Sequence, residues 1–460
     1  MNKNHCKKKN KYDNITLELN RLKTISVKYI DIKSKSKKGG KKMKRNKGIT
    51  LIALVITIIV LLILAGVAVA MLSGENGILK KAAEAKTKTE QSQANETDEL
   101  ANYEDVINEN TGNLGKVKDN KNKVIEGRKV KLQDDNGETI VVPVGFKIKE
   151  DSPTEVEKGI VVVAPDNSEF VWVPVKDVSK MYGTNEEGKK LGKLYGFTKD
   201  GYTANNWTET AGKMAWTSAT GRREPDYLSD PTKGDVVTGD DSKGIALLKS
   251  IVGLNGTDEE ILTKWKTQLQ NEFDEMIKYV EKNKGFYVGR YETSLNAETN
   301  NAQSISGETS ATAAKDSANT WYGLYQKEKE YSGQDKLKNV VGSSMIWGSQ
   351  YDQIMIWMQG NGIDVTSKTP TNLEGVTTIK NTGTGSSVGR TGTVSTDKLN
   401  NVYDLLGNSF EWTLEASYSN ARTYRGGYYY DNFSPSRRSI NGLPYRTDSY
   451  LSTRLTLYIK

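Results

Sequence analysis

The chain has 460 residues and a formal net charge of +8, enough for one large domain or two modest ones. Residues 1–48 hold 15 Lys and 2 Arg against three acidic residues, a net charge of +14, which leaves −6 for the remainder. The single Cys6 and the single His5 lie in this basic segment, so the rest of the chain excludes disulfides, thiolate or imidazole metal sites and histidine-paired nucleophiles. The lysines precede an apolar run, which is typical of a membrane-topology signal, and no nucleic-acid partner is expected.

The apolar run covers residues 49–72 and contains no charged side chain. As a helix its core would be roughly 34 Å long, against a bilayer core of about 30 Å. Because Lys41, Lys42, Lys44 and Arg45 precede it, the positive-inside rule places its N-terminal side in the cytoplasm. The sequence therefore predicts a single-pass cell-membrane protein in contact with membrane lipid, with a cytoplasmic N-terminus and an extracellular C-terminal domain.

The same region resembles type IV pilins, through the leader Lys44-Arg45-Asn46-Lys47-Gly48 followed by Ile49-Thr50-Leu51-Ile52. The resemblance implies cleavage between Gly48 and Ile49, with a prepilin peptidase as a partner. Ala53 stands at the fifth mature position, where pilins usually carry glutamate. Either Met1 or Met43 serves as the start, since the stretch from Met43 is a compact leader by itself.

Downstream of the apolar run, the chain divides into a helical stalk over 73–112, a short β-type connector over 113–138 and a head over 139–460 with an insertion at about 183–280. Apolar alternation predicts strands at 129–132 and 139–144, joined by a turn ending in Asn136-Gly137. A second hairpin is expected for 160–163 and 170–175. Thr257 to Asn283 has helical periodicity, with Thr257 as the N-cap.

Three motifs of the head occur in a distinctive order: Gly285 to Thr293, Val402 to Thr413 and Tyr424 to Gly427. Together they resemble the formylglycine-generating-enzyme (sulfatase-modifying factor) family, a variant of the C-type lectin fold. The resemblance implies an α+β fold class: an N-terminal transmembrane helix and helical stalk, followed by a C-type-lectin-like mixed domain with short strands.

The family's copper-binding cysteines are replaced here by Asp431 and Ser436, which cannot supply the thiolates that copper(I) needs. No catalytic residue and no enzymatic activity are therefore expected. In the same family one loop binds calcium, and the matching positions are Asp404, Gly407, Ser409 and Glu411. Oxygen ligands of this kind suit Ca²⁺. A loop held by hydrogen bonds alone is the competing interpretation.

The last residues before the final strand are rich in Tyr, Ser, Asn, Asp and Arg, which are typical of binding surfaces. The residues predicted to contact a ligand are Tyr428, Tyr429, Tyr430, Asp431, Asn432, Phe433, Ser436, Arg437, Asn441, Tyr445, Arg446, Asp448 and Tyr450. Packing within a sheet is the alternative role for some of them. The segment also resembles the variable region of targets of diversity-generating retroelements, in which adenine-rich codons are varied.

We therefore expect a bacterial surface protein whose head binds an extracellular protein or glycan without converting it. A minor pilin or pseudopilin with a structural role is one alternative. A formylglycine-generating-type oxidase is another, disfavoured by the missing cysteines.

Overall fold

The computed structural model describes most of the chain beyond residue 77. The described residues are 58–62, 78–184, 188–204, 206–208, 213–215, 241–312, 316–377, 387–418, 421–430 and 433–460. They belong to two compact units, residues 1–95 and residues 96–460. The leader over 1–48 lies outside the described residues, as do the predicted processing residues Gly48 and Ile49.

The prediction of a membrane-spanning helix over 49–72 is wrong: among the described residues, no helix combines the length and the apolar character needed to cross a bilayer. Of that stretch, the structure describes only residues 58–62, which are helical. Helix α1 (Ile78–Thr111) has 34 residues, but lysine and acidic side chains occur along it, so it offers no continuous apolar surface. The predicted single-pass location in the cell membrane, which depended on residues 49–72, is wrong as well.

A six-stranded sheet forms the centre of the unit over 96–460. Its strands are β4 (Lys147–Ile148), β5 (Val161–Val163), β6 (Glu169–Pro174), β13 (Gly285–Gly289), β16 (Val341–Met345) and β23 (Leu455–Ile459). Their spatial order is β16-β23-β13-β6-β5-β4, and every neighbouring pair is antiparallel.

Alternating side chains of this sheet enter two separate hydrophobic clusters. In β6, Val171 and Val173 join one cluster, whereas Phe170 and Trp172 join the other. This is the period-two arrangement of a strand that is covered on both faces. The sheet is therefore buried on both sides.

Helix α3 (Asp258–Asn283) contributes a long apolar stripe to the first cluster. Thr257 and Glu260 form a capping box at its start, as the predicted N-cap requires. The buried residues of the stripe are Ile261, Trp265, Leu269, Phe273, Met276, Ile277 and Val280. The predicted helix is confirmed at both ends.

The other described helices are α2 (Asp241–Ser250), α4 (Trp321–Tyr331) and α5 (Gly348–Gly360). A three-stranded sheet combines β1 (Gly115–Lys116), β2 (Val130–Gln133) and β3 (Thr139–Val142). Two-stranded pairs are β7 (Tyr182–Thr184) with β8 (Lys190–Gly192), β9 (Tyr195–Thr198) with β10 (Gly201–Ala204), β11 (Asn206–Thr208) with β12 (Lys213–Ala215), β14 (Ser294–Leu295) with β15 (Ala302–Gln303), and β17 (Lys398–Leu399) with β18 (Val402–Tyr403).

Both predicted hairpins are confirmed: β2 pairs with β3, and β5 pairs with β6, each in antiparallel register. The predicted fold class is nevertheless wrong, because it required a transmembrane helix followed by a C-type-lectin-like domain. In the described residues the strands are instead divided among several sheets. Left-handed residues such as Asn167, Asn401 and Asn408 lie in the turns between successive strands.

Candidate functional site

A four-stranded sheet near the C-terminus carries the predicted ligand-binding residues. It consists of β19 (Phe410–Tyr418), β20 (Ala421–Arg425), β21 (Arg438–Gly442) and β22 (Leu451–Thr453), in the spatial order β21-β20-β19-β22. Strand β22 runs parallel to β19, and the other pairs are antiparallel. The loop over 426–437 therefore leaves the sheet at the end where β22 begins, and the segment over 443–450 returns to that same end.

An aromatic cluster forms where these two segments meet. Phe410 is buried at its centre, and its ring centroid lies 4.5 to 6.2 Å from those of the four surrounding rings. We define the aromatic cluster as Phe410, Tyr424, Tyr428, Phe433 and Tyr450. Phe410 donates its backbone N–H to the Tyr450 carbonyl at 2.9 Å, which holds the segment over 443–450 against the strand.

Tyr429 and Tyr430 extend this cluster toward solvent. Tyr428 contacts Tyr429 at a ring-centroid distance of 5.2 Å and Tyr430 at 6.3 Å. Tyr430 is 74% exposed, the highest value among the large hydrophobic side chains of the described residues. The Arg437 guanidinium lies 3.5 Å from the Phe433 ring centroid, a cation–π contact. We call Tyr428, Tyr429, Tyr430, Phe433, Arg437 and Tyr450 the tyrosine surface.

The remaining predicted ligand-binding residues take different positions. Ser436 is buried, and its carbonyl accepts a hydrogen bond from Arg425 at 3.2 Å, so it supports the loop from inside. Tyr445 lies under the Lys243 ammonium, 5.0 Å from the ring centroid. Arg446 is exposed and pairs with Asp448 at 3.7 Å. Asp431 and Asn432 lie outside the described residues, and the same holds for the side chain of Asn441.

A buried ion network lies beneath the loop over 426–437. Arg425 bonds to Asp352 at 3.0 Å and approaches Glu415 at 3.5 Å, while Arg438 bonds to Glu415 at 2.8 Å and also to Asp352. All four side chains have no solvent exposure. Arg425 immediately precedes the loop and Arg438 immediately follows it, so one pair of carboxylates holds both ends of the loop.

The network is balanced in charge, with two guanidinium groups and two carboxylates. Burial raises the pKa of Glu415 to about 7, and the charges of Arg438 and Arg425 oppose that rise. Asp352 also accepts a hydrogen bond from the backbone N–H of Tyr195 at 2.8 Å. Arg438 donates a hydrogen bond to the Tyr195 carbonyl, also at 2.8 Å. The network therefore joins helix α5, the four-stranded sheet and strand β9.

A second buried cluster contains the predicted calcium ligands. Asp404 accepts hydrogen bonds from Thr391 Oγ1 at 2.6 Å and from the Gly392 N–H at 2.8 Å. Glu411 pairs with Arg454, whose Nε lies 2.9 Å from Glu411 Oε1. Gly407 has φ of +100°, which fits a turn. Because Arg454 already provides a positive charge beside Glu411, it competes with a cation there.

Glu292 completes this cluster. It accepts hydrogen bonds from the Ser409 N–H at 3.0 Å, from Asn408 Nδ2 at 2.6 Å and from the Ser310 hydroxyl. Burial, together with the charges of Asp404 and Glu411, holds the pKa of Glu292 well above its ordinary value. In the described residues no group of three or more acidic, histidine or cysteine side chains is arranged to hold a metal ion. Calcium binding stays a prediction.

Sequence reasoning missed the residues that build the base of the site. These are Phe410 and Tyr424 of the aromatic cluster, Asp352, Glu415, Arg425 and Arg438 of the ion network, and Glu292 and Arg454 of the second cluster. One signal was available: a charged residue directly beside an apolar strand, such as Arg454 before Leu455, must find a buried partner.

No family model matches the sequence, and no curated protein matches it. Among solved structures, the chain is similar to Treponema denticola variable protein 1, at 12% identity and a TM-score of 0.25. The match covers 38% of this chain and 84% of that chain. At this TM-score the likeness supports no transfer of fold or function.

The resemblances to the type IV pilins, the C-type lectins and the formylglycine-generating-enzyme family do not assign the chain to any of these families, since no family model matches the sequence. The motifs that prompted them have local structural roles here. Gly426 takes φ of +74° directly after β20, and Glu411 is the buried partner of Arg454. Turns and buried pairs of this kind recur in unrelated folds, so short motifs alone do not define a family.

Proposed function

We propose that this chain is a binding protein, and that its ligand, a protein or a glycan, contacts the tyrosine surface. The observation that carries the proposal is the exposure of Tyr430 beside half-buried rings that pack on the buried Phe410. Tyrosine offers a large contact area with little loss of side-chain entropy, and arginine is the charged residue most enriched at binding hot spots. Binding without chemical conversion suits a surface that presents no thiol or imidazole.

The test measures binding of the full chain to protein and glycan arrays. We expect Tyr430→Ala and Arg437→Ala each to weaken retention of a captured ligand about tenfold or more, since hot-spot truncations cost roughly 1–4 kcal/mol. Tyr103→Ala is the matched control, because Tyr103 is 70% exposed but lies on helix α1. If Tyr103→Ala weakens ligand retention as much as the two test variants do, or if neither test variant weakens it, the ligand does not bind at the tyrosine surface.

We further propose that the loop over 426–437 and the segment over 443–450 are diversified between copies of this gene. The support is compositional: Tyr, Asn, Asp and Ser, which adenine-rich codons encode, are concentrated in these two segments. A reverse-transcriptase gene beside this one, together with a near-copy of the DNA for these segments, is the expected finding. A locus that lacks both would refute diversification and leave the binding proposal intact.

A further inference from the structure

A separate site lies in the unit over 96–460, and it shares no residue with the tyrosine surface. It is an open cleft of about 270 Å³. Residues 151–153, Lys158, residues 372–374, Lys398, Asn400 and Asn401 line it. Its volume is just below the roughly 300 Å³ at which sites for drug-sized ligands begin, so the cleft suits a single small ring.

One residue that lines the cleft, Asn400, has an unpaired hydrogen-bond acceptor. Asn400 is 5% exposed, and its Nδ2 donates to the Glu157 carbonyl at 3.1 Å. Its Oδ1 is buried and has no hydrogen-bond partner. An unpaired buried carbonyl is costly, and a ligand hydroxyl that donates to it would remove that cost.

The neighbouring Asn401 has the same orientation. Its Nδ2 donates to the carbonyls of Lys158 and Gly159, at 3.2 and 2.8 Å. Both amides thus direct their N–H groups into the protein, and the oxygens remain as acceptors. A ligand group that bonds to these two oxygens must therefore be a hydrogen-bond donor.

The charges around the cleft are balanced. Lys398 lies 3.9 Å from Glu374, Lys158 pairs with Glu155 at 2.9 Å, and Asp151 lies 3.6 Å from Lys149. No excess of either sign attracts an anion or an ammonium ion. Leu373, which is 40% exposed, and Pro153 provide apolar contact area beside the asparagines.

From these observations we infer that the cleft binds one unit of a neutral sugar, whose hydroxyls donate to Asn400 and Asn401 and whose C–H face contacts Leu373. The inference is independent of the proposed function of the tyrosine surface. A neutral polyol ring satisfies the three requirements together: several donors, no net charge and one apolar face.

The test titrates the full chain with the methyl glycosides of glucose, galactose, mannose and N-acetylglucosamine, followed by saturation-transfer-difference NMR. We expect at least one glycoside to bind with a dissociation constant on the order of 1 mM. Asn400→Gly should raise the dissociation constant for that glycoside roughly tenfold, because the substitution removes the buried acceptor. Glycine tolerates the backbone at this position, where φ is +45°.

Asn300→Gly is the matched control, since Asn300 also has a positive φ, of +58°, and is exposed outside the cleft. It should bind the glycoside like the unaltered chain, and so should Tyr430→Ala. Leu373→Ser is a second cleft variant on an exposed side chain, and we expect it to weaken binding severalfold even where Asn400→Gly impairs folding.

Three results would overturn the inference. They are no binding of any glycoside, unchanged binding in both cleft variants, or loss of binding in Tyr430→Ala. Binding of ethanolamine or inorganic phosphate in place of all four sugars would equally contradict it.

Discussion

The ring of Tyr428 stacks on that of Phe410, with centroids 4.8 Å apart and 29° between their planes. Phe410 belongs to strand β19 and Tyr428 to the loop over 426–437, so this contact fixes the loop on the sheet. Phe410→Leu keeps an apolar side chain but loses the ring contacts. We expect it to lower the free energy of unfolding by about 1–2 kcal/mol and to weaken ligand binding severalfold, measured by urea denaturation and by ligand retention.

Phe273→Leu is the control for this prediction, because Phe273 is a buried ring that contacts Trp347 away from the tyrosine surface. It should destabilise the chain to a similar extent without changing ligand binding. If both variants bind equally well, the stacking of Tyr428 does not organise the site.

Glu328 predicts a pH dependence of stability. It is buried on helix α4, accepts hydrogen bonds from Thr293 and Thr453, and burial raises its pKa to about 8. The unfolded chain releases this proton near pH 4.5, but the folded chain keeps it up to about pH 8. The free energy of unfolding should therefore fall as pH rises from about 4.5 to about 8, by about 5 kcal/mol from this group.

Glu328→Gln removes that titratable group. The free energy of unfolding of this variant should therefore decrease less between about pH 4.5 and pH 8, as measured by urea denaturation at several pH values. Glu330→Gln, on the exposed side of the same helix, serves as the control and should leave the profile unchanged. A Glu328→Gln profile that overlays that of the unaltered chain would show that Glu328 is ionised at neutral pH in the fold.

The buried ion network predicts strong coupling between Arg438 and Glu415. Arg438→Met leaves Glu415 and Asp352 with Arg425 as their only remaining guanidinium partner within the network, and removing one partner from a buried pair costs about 3–5 kcal/mol. The double variant Arg438→Met, Glu415→Leu should lower the free energy of unfolding by less than the sum of the two single-variant decreases, as measured by urea denaturation. Additive losses in a double-mutant cycle would show that the pair is not coupled.

Gly159 predicts a steric effect at the edge of the cleft. A Cβ at this position would lie 2.0 Å from the Asn400 carbonyl oxygen, and φ is already +83°. Gly159→Ala should therefore lower the free energy of unfolding by more than the roughly 1–2 kcal/mol that an alanine with positive φ costs when no atom clashes with it. Gly127→Ala, at φ of +74° with nothing within 4 Å, isolates that backbone cost and is measured alongside it by thermal unfolding.

Local elements of this chain could be predicted from sequence, because they depend on neighbouring residues. Helix α3 follows from its apolar period and its Thr257 cap, and the hairpin of β2 and β3 follows from alternation around Asn136-Gly137. The apolar run over 49–72 misled the prediction, because hydropathy measures the tendency to leave water but does not establish a spanning helix.

The base of the candidate site could not be predicted, because it depends on partners far apart in the chain. Asp352 and Arg438 are separated by 86 residues, and charged side chains are ordinarily exposed. The aromatic cluster could not be predicted for the same reason, because its rings also come from distant parts of the chain. Tyr450 meets Phe410 because β22 runs parallel to β19, and Tyr428 meets it because β20 ends beside the start of β19. No local pattern encodes either pairing.

The placement of Arg425 and Arg438 at the two ends of one loop has a consequence for evolution. Asp352 and Glu415 hold Arg425 and Arg438, so the two ends of the loop are fixed by residues that lie outside it. Mutations within the loop can therefore change which ligand binds without removing the ion pairs of Arg425 and Arg438. If the loop is diversified as we propose, this arrangement would let its sequence change while the ion network beneath it stays the same.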